Sequence, residues 1–389
     1  MDRHCLERRR NMMTSRSRHR AAFPYWNAAF LVCCVSVFCG CGGSATVAPA
    51  VATASSYMSD ASNGVQTLSG WYSQSSGLYN STGWWNAANA TTVLVNYSRI
   101  SNTKQYLSTI SNTFTAAQNS HPGYINSYYD DEGWWALAWI DAYDLTANPA
   151  YLSMAQSIFT DMVGGWDTTT CGGGIWWNKS KTYKNAIANE LFLSVAAHLA
   201  NRVADPSLQS QYLRWAEKEW IWFTNSGLIN SSNLINDGLT SSNPAMCVNN
   251  GATTWTYNQG VVLGGLVELN RAQADTALPT IASRIAHAAI ANLTDSRGIL
   301  HEPCEPSNCG GDGTQFKGIF ARNLMALNDA YPQTTYKTFI DNNADSIWAN
   351  DQGPNYQLGL SWSGPFDRAD ASRQSSALDA LVAAAEMQQ

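Results

Sequence analysis

The chain reads as an all-α protein, an (α/α)6 toroid of about six helical hairpins, and three observations predict this. Amphipathic segments of helical period recur about twelve times between Gly, Pro and Asn breaks, and no alternating strand series competes with them. The opening Gly83-Trp84-Trp85 returns as Gly133-Trp134-Trp135, each running into one helix and then a second near Tyr106-Leu107 or Tyr151-Leu152. The unit is therefore a helical hairpin of about 55 residues, and six of them fill the body of the 389-residue chain. An open α-solenoid is the structural alternative.

The first element is a leader. An Arg-rich stretch from Arg3 to Arg20 precedes the apolar run Ala28 to Phe38, and small residues Gly40 to Ser44 follow, which is a secretory signal pattern over residues 1–41. The run falls short of the about 20 apolar residues needed to span a bilayer, and no later segment qualifies. Phe38-Cys39-Gly40-Cys41 loosely resembles a bacterial lipobox, in which Cys41 would carry a lipid; an ordinary cleavable signal is the other reading. Either way the protein is expected to be exported, secreted or held at the cell envelope. A small-residue linker follows at 42–55, and the folded domain is expected over 56–389.

Within that domain the helical segments fall near 56–72, 84–99, 102–118, 132–145, 149–163, 184–203, 207–225, 257–273, 277–294, 313–331, 334–349 and 370–387. Apolar residues make up 45% of the chain, enough for a substantial core, whereas charged residues reach only 13%, about half the usual share. The 16 Trp and 17 Tyr exceed what packing alone recruits, so a surface must use aromatic side chains. Net charge is −6; without the leader, 16 basic and 27 acidic residues leave −11. An acidic body with few cations excludes nucleic acid and other polyanions as partners and favours a neutral ligand. A monomer is expected.

Five of nine cysteines lie in the leader, leaving Cys171, Cys247, Cys304 and Cys309. In an oxidising compartment these form two disulfides. Cys304 and Cys309 enclose four residues and make a local staple, so Cys171 pairs with Cys247 by elimination. Zinc is the competing reading, but no CxxC occurs and His121, His198, His287 and His301 lack ligand spacing. No metal or organic cofactor is expected.

Chemistry should sit in the loops entering the inner helices, and one stands out: Asn126-Ser127-Tyr128-Tyr129-Asp130-Asp131-Glu132-Gly133-Trp134-Trp135. Consecutive residues diverge by about 100° on a helix, so Asp130 and Asp131 serve one substrate only at an irregular entry, which the pattern places before a helix at 132. Retaining glycoside hydrolysis needs two carboxyl groups about 5 to 5.5 Å apart. Helix capping alone explains Asp-Asp-Glu as well. Capping needs no aromatic wall, however, and Tyr128, Tyr129 and Trp134 supply one on which sugar rings stack.

These residues resemble glycoside hydrolase family 76, the endo-α-1,6-mannanases, whose hallmark is an Asp-Asp pair in a Tyr-rich loop before a Trp-rich helix. Further matches are Cys171-Gly-Gly-Gly-Ile-Trp-Trp177, Lys184-Asn-Ala-Ile-Ala-Asn-Glu190, Thr254-Trp-Thr-Tyr-Asn-Gln-Gly260 and Gly311-Asp-Gly-Thr-Gln-Phe-Lys-Gly318, in the family's order over about residues 84–325. The resemblance implies that Asp130 is the nucleophile and Asp131 the general acid/base of a retaining mechanism on an (α/α)6 fold.

The remaining motifs supply candidate sugar contacts. Trp176-Trp177, after three glycines, can present an indole face to a pyranose or pack in the core. Tyr257 and Gln259 place a hydroxyl and an amide at a helix entry, and Gln315, Phe316 and Lys317 repeat that layout, with Lys317 placed to neutralise one carboxylate. Asp237 in Asn236-Asp237-Gly238 is a further contact or part of an ordinary turn, and Trp362 is a late-loop stacking candidate or core. No GxSxG, P-loop, GxGxxG or HExxH appears. The expected function is thus a retaining endo-α-1,6-mannanase acting on mannan. A transglycosidase of the same family and a non-catalytic glycan-binding surface lipoprotein are the alternatives.

Overall fold

The structure, a computed structural model, describes residues 54–243 and 246–389. The expected leader at 1–41 with Cys41, and the expected linker up to residue 53, lie outside the described residues.

Twelve α-helices are present among the described residues: α1 (Ala54–Ser69), α2 (Trp84–Ser101), α3 (Leu107–Ala116), α4 (Tyr129–Thr146), α5 (Pro149–Val163), α6 (Ala186–Arg202), α7 (Pro206–Ser226), α8 (Thr256–Ala272), α9 (Ala277–Asn292), α10 (Phe316–Ala330), α11 (Thr334–Asn350) and α12 (Ala371–Glu386). Their ends follow local chemistry. Asn148, Asn185, Asp205 and Asp370 accept hydrogen bonds from backbone N–H groups at the starts of α5, α6, α7 and α12, and Pro149 and Pro206 occupy first-turn positions. Helix α7 stops at Gly227, whose φ of +85° suits a residue without Cβ.

The even-numbered helices form a closed inner ring: α2 packs on α4, α4 on α6, α6 on α8, α8 on α10, α10 on α12, and α12 returns to α2. The odd-numbered helices lie outside it, α5 against α4 and α6, α7 against α6 and α8, and α11 against α10 and α12. Closure explains the sixth hairpin: the first helix, α1, packs against the last, α12, so the unit is completed by the two ends of the folded domain. The fold is the (α/α)6 toroid, and the open solenoid is excluded by the α12–α2 contact.

An inner helix touches neighbours on every side, so its residues are buried nearly all round and amphipathicity fades. In α12 every residue from Ala371 to Ala385 is buried. Close approach of the ring helices requires small side chains. A Cβ on Gly260 of α8 would come within 2.6 Å of the Phe320 Cα on α10, and one on Gly318 within 2.6 Å of the Ser376 Cα on α12.

Several boundaries differ from the expected ones. Helix α3 begins at Leu107 instead of 102, because Asn102 takes a left-handed conformation (φ 52°) that terminates α2. Helix α4 begins three residues early, at Tyr129, and α1 starts at Ala54, inside the expected linker. Two short antiparallel hairpins were not anticipated, β1 (Tyr72–Ser73) with β2 (Leu78–Tyr79) and β3 (Leu239–Asn243) with β4 (Met246–Asn249). Disulfides join Cys171 to Cys247 and Cys304 to Cys309. The first ties the glycine-rich loop before α6 to β4, and the second closes the loop before α10. No helix among the described residues is long and apolar enough to cross a membrane.

Candidate active site

The inner helices present their N-termini to one end of the ring, and a cleft of about 490 Å3 opens there. Trp85 comes from the start of α2, Asp130, Asp131 and Trp134 from α4, Asn185 from the cap of α6, Tyr257 from α8 and Phe316 from α10. Loops add Tyr128, Trp177, Tyr183, Asp237 and Asp312. The aromatic wall is continuous: Tyr257 and Phe316 stack with ring centroids 3.8 Å apart, Trp85 lies 6.1 Å from Phe316, and Trp85 lies 5.6 Å from Trp134. No Lys or Arg is among the described residues lining the cleft.

The carboxylate pair lies inside a helix, which corrects the expected irregular entry. Tyr128 is extended (φ −125°, ψ 123°), and Asp130, Asp131 and Glu132 form the first turn of α4. Adjacent helical side chains splay by about 100°, but every Cα–Cβ bond also tilts toward the helix N-terminus. Here that N-terminus faces the cleft, so both carboxylates line it.

Each carboxylate has its own donor from a separate loop. The Trp177 indole Nε1 donates to Asp130 Oδ2 at 3.0 Å, and Asn126 Nδ2 donates to Asp131 Oδ2 at 2.6 Å. Burial pushes the Asp130 carboxyl well above its ordinary range, the neighbouring Asp131 charge adds to this, and the Trp177 N–H opposes it. Asp131 is pushed up to about 6, chiefly by burial; the Asn126 amide pulls it down and the Asp312 charge pushes it up. Two close buried carboxyl groups hold a proton between them more readily than either alone. Across the cleft, the Trp85 indole donates to Asp312 Oδ1 at 2.8 Å, and the Tyr183 hydroxyl donates to Asp237 Oδ2 at 2.7 Å. Burial raises Asp237 above the usual carboxylate range.

Of the residues singled out in the sequence, the structure brings Tyr128, Asp130, Asp131, Trp134, Asp237, Tyr257 and Phe316 together at the cleft. Six others lie elsewhere. Trp176 and Trp177 sit in an extended loop flanked by the bridges Trp166–Ile175 and Tyr128–Asn178, and adjacent residues of an extended chain face opposite ways. Trp177 therefore reaches the cleft, while Trp176 packs against the core with Lys184 Nζ 5.0 Å from its ring. Tyr129 is buried against Gly165, where an added Cβ would lie 2.8 Å from its ring. Gln259 is fully buried and serves the backbone, accepting from Ile235 N at 2.8 Å and donating to Ile235 O at 2.9 Å. Gln315 is equally buried and accepts from the Ser375 hydroxyl on α12.

Lys317 does not neutralise Asp130 or Asp131. It is 1% exposed and pairs with Glu305 at 2.6 Å and the Leu360 carbonyl at 2.6 Å, with its Nζ 4.8 Å from the Trp362 ring. Trp362 is itself 1% exposed and belongs to the core. Sequence reasoning missed Trp85, Asn126, Tyr183, Asn185 and Asp312, all of which stand in or beside the motifs quoted above. Another missed anchor is Lys184, whose buried ammonium donates to the carbonyls of Asp167, Thr170, Gly173 and Gly174 and so fixes the loop that carries Trp177. Among the described residues no three His, Cys, Asp or Glu side chains are arranged to hold a metal ion.

A closed (α/α)6 ring whose helix N-termini surround an aromatic cleft floored by paired carboxylates defines a toroidal protein of the carbohydrate-active class. Residues 46–389 match the family model described as Glycosyl hydrolase family 76, and the chain belongs to that family. It is 29% identical over 274 residues to the mannan endo-1,6-alpha-mannosidase DCW1 of Candida albicans, covering 64% of this chain and 59% of that protein. The DCW1 protein of Saccharomyces cerevisiae is likewise 29% identical, over 65% of this chain and 59% of its own length, so this chain spans under two thirds of these relatives. Among solved structures, the Lin0763 protein of Listeria innocua is 26% identical with a TM-score of 0.75, covering 85% of this chain and 97% of that one. An inactive variant of the α-1,6-mannanase GH76A of Salegentibacter sp. HEL1_6, in complex with α-1,6-mannotriose, shares the fold at 24% identity and a TM-score of 0.77, covering 85% of this chain and 99% of that one.

Proposed function

We propose that the protein is a retaining endo-α-1,6-mannanase that cleaves neutral mannan backbones, with Asp130 as nucleophile and Asp131 as general acid/base. The observation that carries this reading is the first turn of α4, which presents two carboxylates with separate hydrogen-bond donors to an aromatic cleft with no Lys or Arg among its described lining residues. Mannan is the polymer named for its curated relatives. A neutral pyranose has apolar ring faces to stack on Trp85, Trp134, Tyr257 and Phe316, and hydroxyl groups to bond Asp237, Tyr183 and Asp312.

The chemistry follows from the pair. Asp131, protonated, donates to the leaving glycosidic oxygen while Asp130 attacks the anomeric carbon, giving a glycosyl-enzyme ester. Asp131, now ionised, removes a proton from an incoming water, which attacks the same carbon and expels Asp130. The Trp177 N–H supports the ionised Asp130 before attack and after release. Burial raises both carboxyls, Asp130 the more strongly, so the pair as a unit retains a proton at mildly acidic pH, and the roles assigned here require that proton to sit on Asp131 when the glycosidic bond is cleaved. The protein acts as an exported enzyme, which the two disulfides support. Incubation with linear α-1,6-mannan, with products resolved by size, tests the reading: short oligosaccharides from internal cleavage support it, and an unaltered polymer overturns it.

A further inference from the structure

The third acid of the first turn, Glu132, faces away from the cleft and is fully buried. A carboxylate that only complemented a helix dipole would remain in solvent, where it loses no hydration. Glu132 instead meets Lys179, whose Nζ lies 2.8 Å from its Oε1 and 2.7 Å from Oδ2 of Asp161 on α5. The same Oε1 accepts the backbone N–H of Asn126 at 3.2 Å. One oxygen thus joins the loop before α4 to the loop before α6.

Those two loops carry the two donors of the catalytic pair. Asn126 reaches Asp131 with its amide and accepts from the Tyr128 N–H at 2.8 Å with its own Oδ1. Trp177 reaches Asp130 with its indole, and its carbonyl accepts from Tyr129 N at 2.9 Å. Lys179 closes the assembly by donating its backbone N–H to the Ser127 carbonyl at 3.0 Å. Taken together, the contacts run from Glu132 through Asn126 to Asp131, and from Glu132 through Lys179 and Trp177 to Asp130.

We infer that Glu132 and Lys179 are a hydrogen-bonded positioning pair for the catalytic centre, fixing the distances at which Asn126 and Trp177 hold Asp131 and Asp130. Neither residue touches the substrate. The inference rests on the reading of Asp130 and Asp131 as the reacting pair. Its consequence is that the pair governs turnover more than binding, because the aromatic wall that binds sugar comes from other elements, and misplacement of reacting groups by a fraction of an ångström is costly in rate.

The test uses Lys179→Met, Lys179→Arg, Glu132→Gln and the double variant Glu132→Gln/Lys179→Met. Lys179→Met strips the fully buried Glu132 of its partner, so the double variant, which removes both charges, is the one that keeps the test in folded protein, and Gln at 132 keeps an acceptor for Asn126. Three readouts are taken: kcat and KM on α-1,6-mannotetraose, the melting temperature, and the Trp177 indole 1H–15N resonance, assigned with Trp177→Phe. In Lys179→Met the expected result is at least about a tenfold fall in kcat, less than about a twofold change in KM, and an indole resonance moved toward that of an unbonded N–H. Lys179→Arg should regain most of the loss, and the double variant should be no worse than the worse single one. Wild-type kcat with an unmoved indole signal in both single variants overturns the proposal, as does a lowered melting temperature with unchanged kcat in the folded enzyme. If Asp130→Asn and Asp131→Asn keep full activity, the catalytic-pair reading fails; the Trp177 resonance reports positioning independently of that result.

Discussion

The indole Nε1 of Trp177 lies 3.0 Å from Oδ2 of Asp130, joining a loop residue to the first turn of a helix 47 positions earlier in the chain. Asp130 Oδ1 is buried without a hydrogen-bond partner, so this N–H is the side-chain donor that its ionised form has. Asp131 draws its donor from Asn126 on the other side of the helix start. The two carboxylates are thus adjacent in sequence but have separate electrostatic supports, which is how a pair can divide the roles of nucleophile and acid.

Asp130→Asn and Asp131→Asn should each lower kcat/KM on mannan by about 10² or more, since on the proposed roles one removes the attacking carboxylate and the other the proton donor. Both proteins should melt no lower than wild type. Azide added with an activated mannoside should rescue the Asp131 variant with retained configuration. Retained-configuration rescue of the Asp130 variant instead would reverse the two assignments.

Trp177→Phe keeps an aromatic ring in the cleft wall but removes the N–H to Asp130. Losing a donor to the charged form disfavours that form, so the already raised Asp130 carboxyl rises further. The acid limb of the pH profile of kcat/KM should move to higher pH, with a fall of about tenfold at the wild-type optimum. An acid limb that stays in place would remove Trp177 from the catalytic account.

The ring was legible because its signals are local. Helical period, Gly-Trp-Trp repeats and break residues each act within a few positions, and Asn185, Asp205 and Asp370 cap helices where the pattern places their starts. The aromatic cleft was legible as a set of motifs, but the facing of each side chain was not. Gln259, two positions after Tyr257, turns to the Ile235 backbone because its amide satisfies both a buried N–H and a buried C=O there. Trp176 and Trp177 are chemically identical, and only the pairing of their loop with Tyr128 determines which indole faces Asp130. Lys317 and Glu305 meet through the fold-back of a loop closed by Cys304–Cys309, which no spacing rule encodes.

Stability should carry the opposite signature to activity at position 131. The Asp131 carboxyl rises from 3.8 to about 6 on folding, so the folded state binds its proton more tightly than the unfolded chain does. That contribution is complete below about pH 4 and is lost as pH rises through about 6. Asp131→Asn removes the ionisation cost, so its unfolding free energy relative to wild type should climb between about pH 4 and 6 and level off above, by at most about 3 kcal/mol, with the melting temperature following it. A difference that is flat across this window would mean that Asp131 is solvated as an ordinary carboxylate.

Binding of neutral mannooligosaccharides should be insensitive to ionic strength. The described residues lining the cleft include Asp130, Asp131, Asp237 and Asp312 but no Lys or Arg, so no attraction between protein cation and ligand anion exists to be screened. KM measured from about 0.05 to 0.5 M salt should vary by less than about twofold. A steep loss of affinity with salt would point to a charged polysaccharide.

Trp134 and Trp362 separate binding from packing. Both are buried, at 3% and 1% exposure, but Trp134 lines the cleft beside Trp85 whereas Trp362 lies in the core under the Lys317 ammonium. Trp134→Ala should weaken oligosaccharide binding by about 1 to 3 kcal/mol through lost stacking area. Trp362→Ala removes a ring from a packed interior and uncovers the Lys317–Glu305 pair, so about 3 to 5 kcal/mol of stability should go while KM in the surviving folded fraction stays at the wild-type value. Calorimetry and oligosaccharide titration on the same two variants decide the matter. A Trp362 variant that binds poorly but melts normally would return that indole to the cleft, and a Trp134 variant that binds normally would move the stacking surface to Tyr257 and Phe316.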